Sequence, residues 1–109
     1  MNEPIMKAFD FGIRLIELAN YLDEEKKHFP LMTRLLECGT GINVYLQLSG
    51  SFPKSMQENR MQAYKLAEET EYLLELMAKT GVINKIQCKP ILNDCRCIKE
   101  ETRKLLGRI

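Results

Sequence analysis

Four cysteines, one histidine and a cluster of glutamates are the residues of this chain whose chemistry could serve catalysis or metal binding. The cysteines are Cys38, Cys88, Cys95 and Cys97, and the histidine is His28. A zinc site needs paired spacing such as C-x-x-C and enough further Cys or His to close a tetrahedron. The one close pair here is Cys95-Arg96-Cys97, so the spacing points away from metal and toward reduced thiols packed as small apolar groups in helices. Glu68, Glu69, Glu71 and Glu75 resemble a carboxylate cluster, but di-iron bundles pair each such glutamate with a Glu-x-x-His motif on a facing helix. His28, beside Phe29-Pro30, supplies no such partner and no Ser-His-Asp or Cys-His arrangement. The expectation is a protein that is not an enzyme and carries no cofactor and no metal.

Gly39 and Gly41 stand close together in an otherwise helical stretch. A phosphate-cradling loop would place them between a strand and a helix start, a context this segment lacks. The reading adopted is a close helix crossing, where a larger side chain would block the approach and each glycine costs about 1 kcal/mol of helix propensity against alanine.

Basic side chains gather at the end of the chain. Residues 85–109 hold seven basic and three acidic side chains, against nine and twelve in the remainder, although the whole chain is nearly neutral at +1. Lys85, Lys89, Arg96, Lys99, Arg103, Lys104 and Arg108 carry this charge. Of these, Lys89, Arg96, Lys99, Arg103, Lys104 and Arg108 are candidate contacts for a nucleic-acid backbone or an acidic partner. Two structural readings compete with that one: cations opposing the negative end of a helix macrodipole, and pairing with the acidic third helix across the bundle or between subunits.

The elements that must position these residues are helices. The chain has 109 residues, of which 45% are apolar and 28% charged, with six glycines, four prolines and no tryptophan. That composition fits one globular domain spanning 1–109 with few, long elements. Periodicity predicts an all-α, antiparallel up-down four-helix bundle with helices at about 4–23, 30–49, 55–80 and 85–107, and no strand.

The first helix has two apolar lines. Phe9, Ile13, Ile16 and Asn20 form one, and Phe11, Leu15, Leu18 and Leu22 form the other. Together they are wider than one core seam needs, which points to a subunit of a larger assembly. The second helix places Met32, Leu35, Gly39, Ile42 and Leu46 on one face, flanked by Leu31, Cys38 and Tyr45, after a proline suited to a first turn. The third opens with Ser55-Met56-Gln57-Glu58, read as a capping box. Its apolar face is Ala63, Leu66, Ala67, Thr70, Leu73, Leu74 and Met77, and Gly81 serves as its C-terminal stop. In the fourth, Cys88, Ile91, Cys95, Ile98, Thr102, Leu105 and Ile109 make a regular seam. Asn84 is placed to cap it, but Pro90 then falls beyond the first turn. Either the regular part starts near Lys89 or the first turn and a half is kinked.

The N-terminus has no long apolar run of the signal-peptide kind, and no stretch is long and apolar enough for a membrane span, so a cytoplasmic location is expected.

The segment 34–42, Arg-Leu-Leu-Glu-Cys-Gly-Thr-Gly-Ile, resembles the "QLLRSGTSI" segment of the four helix bundle proteins, also called 23S rRNA intervening-sequence proteins. Residues 63–77 are similar to that family's "ALKEARETxYWLELL", and Thr80-Gly81-Val82-Ile83 to its "sGLI" corner. The opening Phe9-Asp10-Phe11-Gly12-Ile13-Arg14 and the Phe29-Pro30 turn agree as well, so the resemblance covers nearly the whole chain. It implies a bundle that assembles as a ring-like homopentamer, with no catalysis of its own and, for most members, no assigned role. A related branch, the accessory variability determinant of diversity-generating retroelements, binds a reverse transcriptase and nucleic acid through a strongly basic surface. The resemblance thus implies two roles here: a homo-oligomeric scaffold or protein-interaction module, or an accessory factor that binds RNA, DNA or a reverse transcriptase through the basic last helix. Glu37 stands where the family usually has arginine.

Overall fold

In a computed structural model, which describes residues 3–107, the chain folds into four long helices and one short turn of 3-10 helix. Helix α1 spans Glu3–Glu24, α2 Met32–Ser51, α3 Met56–Lys79 and α4 Lys85–Leu106; the 3-10 turn is Pro53–Ser55. No strand occurs among the described residues. Each helix packs against the next, and α4 closes back on α1, in a body of 45 × 22 × 21 Å.

The core follows the predicted seams on three helices. On α2, Leu35, Cys38, Gly39, Ile42 and Leu46 are buried. On α3 the buried set is Ala63, Ala67, Thr70, Leu73, Leu74 and Met77, with Leu66 packed at its edge. On α4 it is Cys88, Ile91, Cys95, Ile98 and Thr102, and the seam then shifts to Leu106, leaving Leu105 half-buried. Ile109 lies outside the described residues. Thr70 and Thr102 bury their hydroxyls without penalty because each donates to the carbonyl one turn back, Leu66 O at 2.6 Å and Ile98 O at 2.8 Å.

Helix α1 separates its two lines. Phe11, Leu15 and Leu22 are buried and Leu18 packs on the core, whereas Phe9, Ile13, Ile16 and Asn20 face outward.

The starts of α2 and α3 differ from expectation, and that of α4 agrees with it. Helix α2 starts at Met32, since Phe29 and Pro30 are spent on the turn, where Met32 N–H donates to Phe29 O at 3.0 Å. The Ser55–Glu58 capping box does not form. A capping serine needs extended backbone, but Ser55 closes a 3-10 turn at φ −110°, ψ 18°, and its hydroxyl is engaged with Phe52 O and Asn59. The capping box is instead at α4, where Asn84 Oδ1 accepts from Gln87 N–H at 2.7 Å and Gln87 Oε1 accepts from Asn84 N–H at 3.2 Å. Helix α4 therefore begins at Lys85 and carries Pro90 inside it. The carbonyl that Pro90 leaves without its helical partner belongs to Ile86, and both residues are on the solvent side, where the lost bond costs less than in the core.

Candidate functional site

The cations of α4 lie along the seam with α3, and there they meet the α3 glutamates. Lys99 Nζ donates to Glu71 Oε1 at 2.5 Å and sits 2.9 Å from Glu68. Arg96 donates through Nε to Glu71 Oε2 at 2.7 Å and reaches Glu75 at 3.5 Å. Each base thus touches two acids one turn apart, as the i, i+3 and i, i+4 spacing of Glu68, Glu71 and Glu75 requires. Glu71, at the centre, has a side chain only 14% exposed. Its burial pulls the carboxyl pKa up, but Lys99 and Arg96 outweigh that and hold it below its ordinary value.

Arg103 pairs within its own helix, donating through Nε to Glu100 at 3.0 and 3.1 Å. Among the described residues Lys104 makes no ion pair at contact distance, though its charge helps lower the Glu100 pKa. Arg108 lies outside the described residues. Among the described residues, Lys89 and Lys85 meet no carboxylate; they sit with Lys79 of α3 around a shallow groove at the end of the seam. Of the six candidate contacts, then, the fold brings Arg96 and Lys99 together against acids of the same chain and ties Arg103 locally. Lys89 is left available, together with Lys79, which the linear sequence does not associate with it.

A further pair on the opposite seam was not visible in the sequence. Arg34 of α2 forms a two-pronged bond with Glu69 of α3, at 2.6 and 2.8 Å, and this holds the Glu69 carboxyl down to about 2.

Gly39 and Gly41 both sit where space is short. A β-carbon at Gly39 would collide with Leu15 Cδ1 and lie 3.5 Å from Phe11 Cε2, so Gly39 of α2 makes room for these two side chains of α1. At Gly41 it would come within 2.8 Å of Leu66 Cδ1 on α3.

The thiols divide three to one. Cys38, Cys88 and Cys95 are buried, and Cys97 is exposed. Cys88 and Cys95 point their Sγ at Leu74 O and Ala67 O, at 3.5 and 3.6 Å. Burial pushes the Cys38 and Cys95 pKa values up to about 12. No group of three or more His, Cys, Asp or Glu side chains placed to hold a metal occurs among the described residues. Nor is any described helix long and apolar enough to cross a membrane.

The outer face of α1 is the second surface feature. Met6, Phe9, Ile13 and Ile16 are 49, 49, 45 and 51% exposed, and their spacing of three, four and three puts them in one line. Val44 on the outside of α2 is similarly exposed. Sequence reasoning found this line except for Met6, but could not say which of the two lines the core would take.

With this geometry, no protein-family model and no functionally curated protein matches the chain. Among solved structures, it is similar to a protein of unknown function from the S23 ribosomal protein family of Bacteroides thetaiotaomicron. The two share 27% identity over 96% of this chain and 99% of that one, with a TM-score of 0.89. The class is therefore an all-α four-helix bundle whose structural neighbour carries the S23 family name.

Proposed function

We propose that this protein is a non-enzymatic subunit of a homo-oligomer, a scaffold or protein-interaction module of the 23S rRNA intervening-sequence type, working in the cytoplasm. The observation that carries the reading is the exposed line Met6, Phe9, Ile13 and Ile16. Single exposed apolar residues are ordinary on a surface, but an aligned set of large ones on one helix marks a contact surface. The core takes the other line of α1, so among the described residues this face is left on the surface. The S23 name of the structural neighbour supports the family assignment, and the family resemblance supplies the subunit number, five.

The nucleic-acid reading draws less support. Arg96, Lys99 and Arg103 spend their charge on Glu68, Glu71, Glu75 and Glu100 of the same chain, which leaves little for phosphates.

Light scattering at micromolar concentration tests the proposal. The expected particle is about five times the 12.7 kDa chain mass. Changing Phe9 and Ile13 to glutamate should dissociate it while leaving the helical circular dichroism intact. A monomer in the unaltered protein, or an oligomer indifferent to those changes, would overturn it.

A further inference from the structure

The ion-pair ladder between α3 and α4 stops before it reaches the end of the bundle where α4 begins. Lys99 faces Glu68 and Glu71, and Arg96 faces Glu71 and Glu75. Toward the start of α4 the same face continues with Lys89 and Lys85, but α3 continues with Ala78 and Lys79 in place of further glutamates. The outcome is an open groove of about 290 Å³, with Ala78, Cys88 and Leu92 among its lining and Lys79, Lys85 and Lys89 beside them. Among the described residues the one carboxylate that lines it, Glu75, is engaged by Arg96. Three like charges gathered beside a single, already engaged carboxylate repel one another, and here they flank apolar surface open to water.

We propose that this groove binds an acidic segment of a partner protein. One apolar side chain of that segment would rest on Ala78 and Leu92, and carboxylates on either side of it would face Lys79, Lys85 and Lys89. Charge complementarity selects the occupant: the partner supplies in trans the acids that α3 supplies to Arg96 and Lys99 in cis. The apolar floor separates a peptide from a nucleic acid. Nucleic-acid tracks need stacking rings or an extended row of cations, and no aromatic side chain among the described residues lines this groove.

The test uses fluorescence anisotropy on the whole protein at low salt. The probe is a labelled synthetic amphipathic peptide of leucine and glutamate, alongside the same peptide with glutamine for glutamate and a labelled oligo-dT strand. The glutamate peptide should bind. Lys85→Glu with Lys89→Glu should weaken it by about tenfold or more, and Leu92→Glu should do likewise. Lys104→Glu, a remote exposed cation, should leave it unchanged. Lys85 and Lys89 are exposed, so the fold should survive their reversal. The milder pair Lys85→Gln and Lys89→Gln should give an intermediate loss. No binding of the glutamate peptide overturns the proposal, as does equal binding of the glutamine peptide. An equal loss in Lys104→Glu would mean nonspecific charge attraction. Tighter binding of oligo-dT, lost in the same double variant, would assign the groove to nucleic acid. A changed particle mass in that variant would mean that a second copy covers it. Each of these three results also overturns the proposal.

Discussion

Leu15 of α1 occupies the space that a side chain on Gly39 of α2 would need. Leu15 is fully buried and bounded by the core, so its end cannot swing into water. Glycine at position 39 thus leaves the room that the Leu15 side chain fills, and its cost in helix propensity is offset by the packing it permits.

Gly39→Leu should prevent normal folding, and Gly39→Ala should destabilise moderately. Overpacking costs about 1–3 kcal/mol, and the gain in helix propensity returns about 1 kcal/mol in the alanine variant. Gly50 is the control: it lies in the last turn of α2, and a β-carbon there meets no described residue within 4 Å. Gly50→Ala should leave the melting temperature unchanged or raise it slightly. A Gly39→Leu protein that melts like the parent would refute the crossing.

Asn43 is a second tie between the same helices. Its side chain is buried, donating to Ile5 O at 2.9 Å and accepting from Gln47 at 2.6 Å. Asn43→Ala should cost about 1–3 kcal/mol, the penalty for stranding buried polar groups. Urea denaturation measures this, and a change below a few tenths of a kcal/mol would contradict it.

The thiols should separate cleanly in a reactivity assay. Near neutral pH, Cys97 should react with a disulfide reagent in the folded protein, while Cys38, Cys88 and Cys95 wait for unfolding. Rapid modification of more than one thiol per native chain would contradict the burial.

Acid should loosen the bundle in a defined window. The Glu69 carboxyl is held at about 2 by Arg34, and Glu71 is also held below the ordinary 4.5. Groups with depressed folded values stabilise the fold above their unfolded value and lose that contribution as pH falls toward the folded one. The melting temperature should therefore fall between about pH 4.5 and 2. Glu71→Gln should flatten part of that fall, and an unchanged profile would show that the ladder contributes nothing.

The sequence showed the seams of α3 and α4 because each has one apolar face against a charged remainder. It could not choose between the two lines of α1, since Phe9-Ile13-Ile16 and Phe11-Leu15-Leu18 have the same chemistry and the same period. Which line turns inward is decided by how α1 seats against α2 and α4. The availability of each cation was hidden for a related reason. Arg96 and Lys89 look alike along α4, and what distinguishes them is whether Glu75 or Lys79 stands opposite, which depends on the register of two helices. Ser55 carried a valid capping signature, overridden by the turn that Pro53 begins. Pro90 argued against a helix that its solvent-side position allows.

Helix α1 is bound differently along its two flanks. Toward α2 it has the Gly39 crossing and the Asn43 tie; toward α4 it has Lys7 with Glu101, Arg14 with Asp94 and Tyr21 with Gln87. The first flank is indifferent to electrolyte and the second is not. Of the two seams, the one between α1 and α4 is therefore the one that dissolved salt loosens, through its two ion pairs. Amide hydrogens of α1 should be the first to exchange as ionic strength rises, while α2 and α3 stay closed.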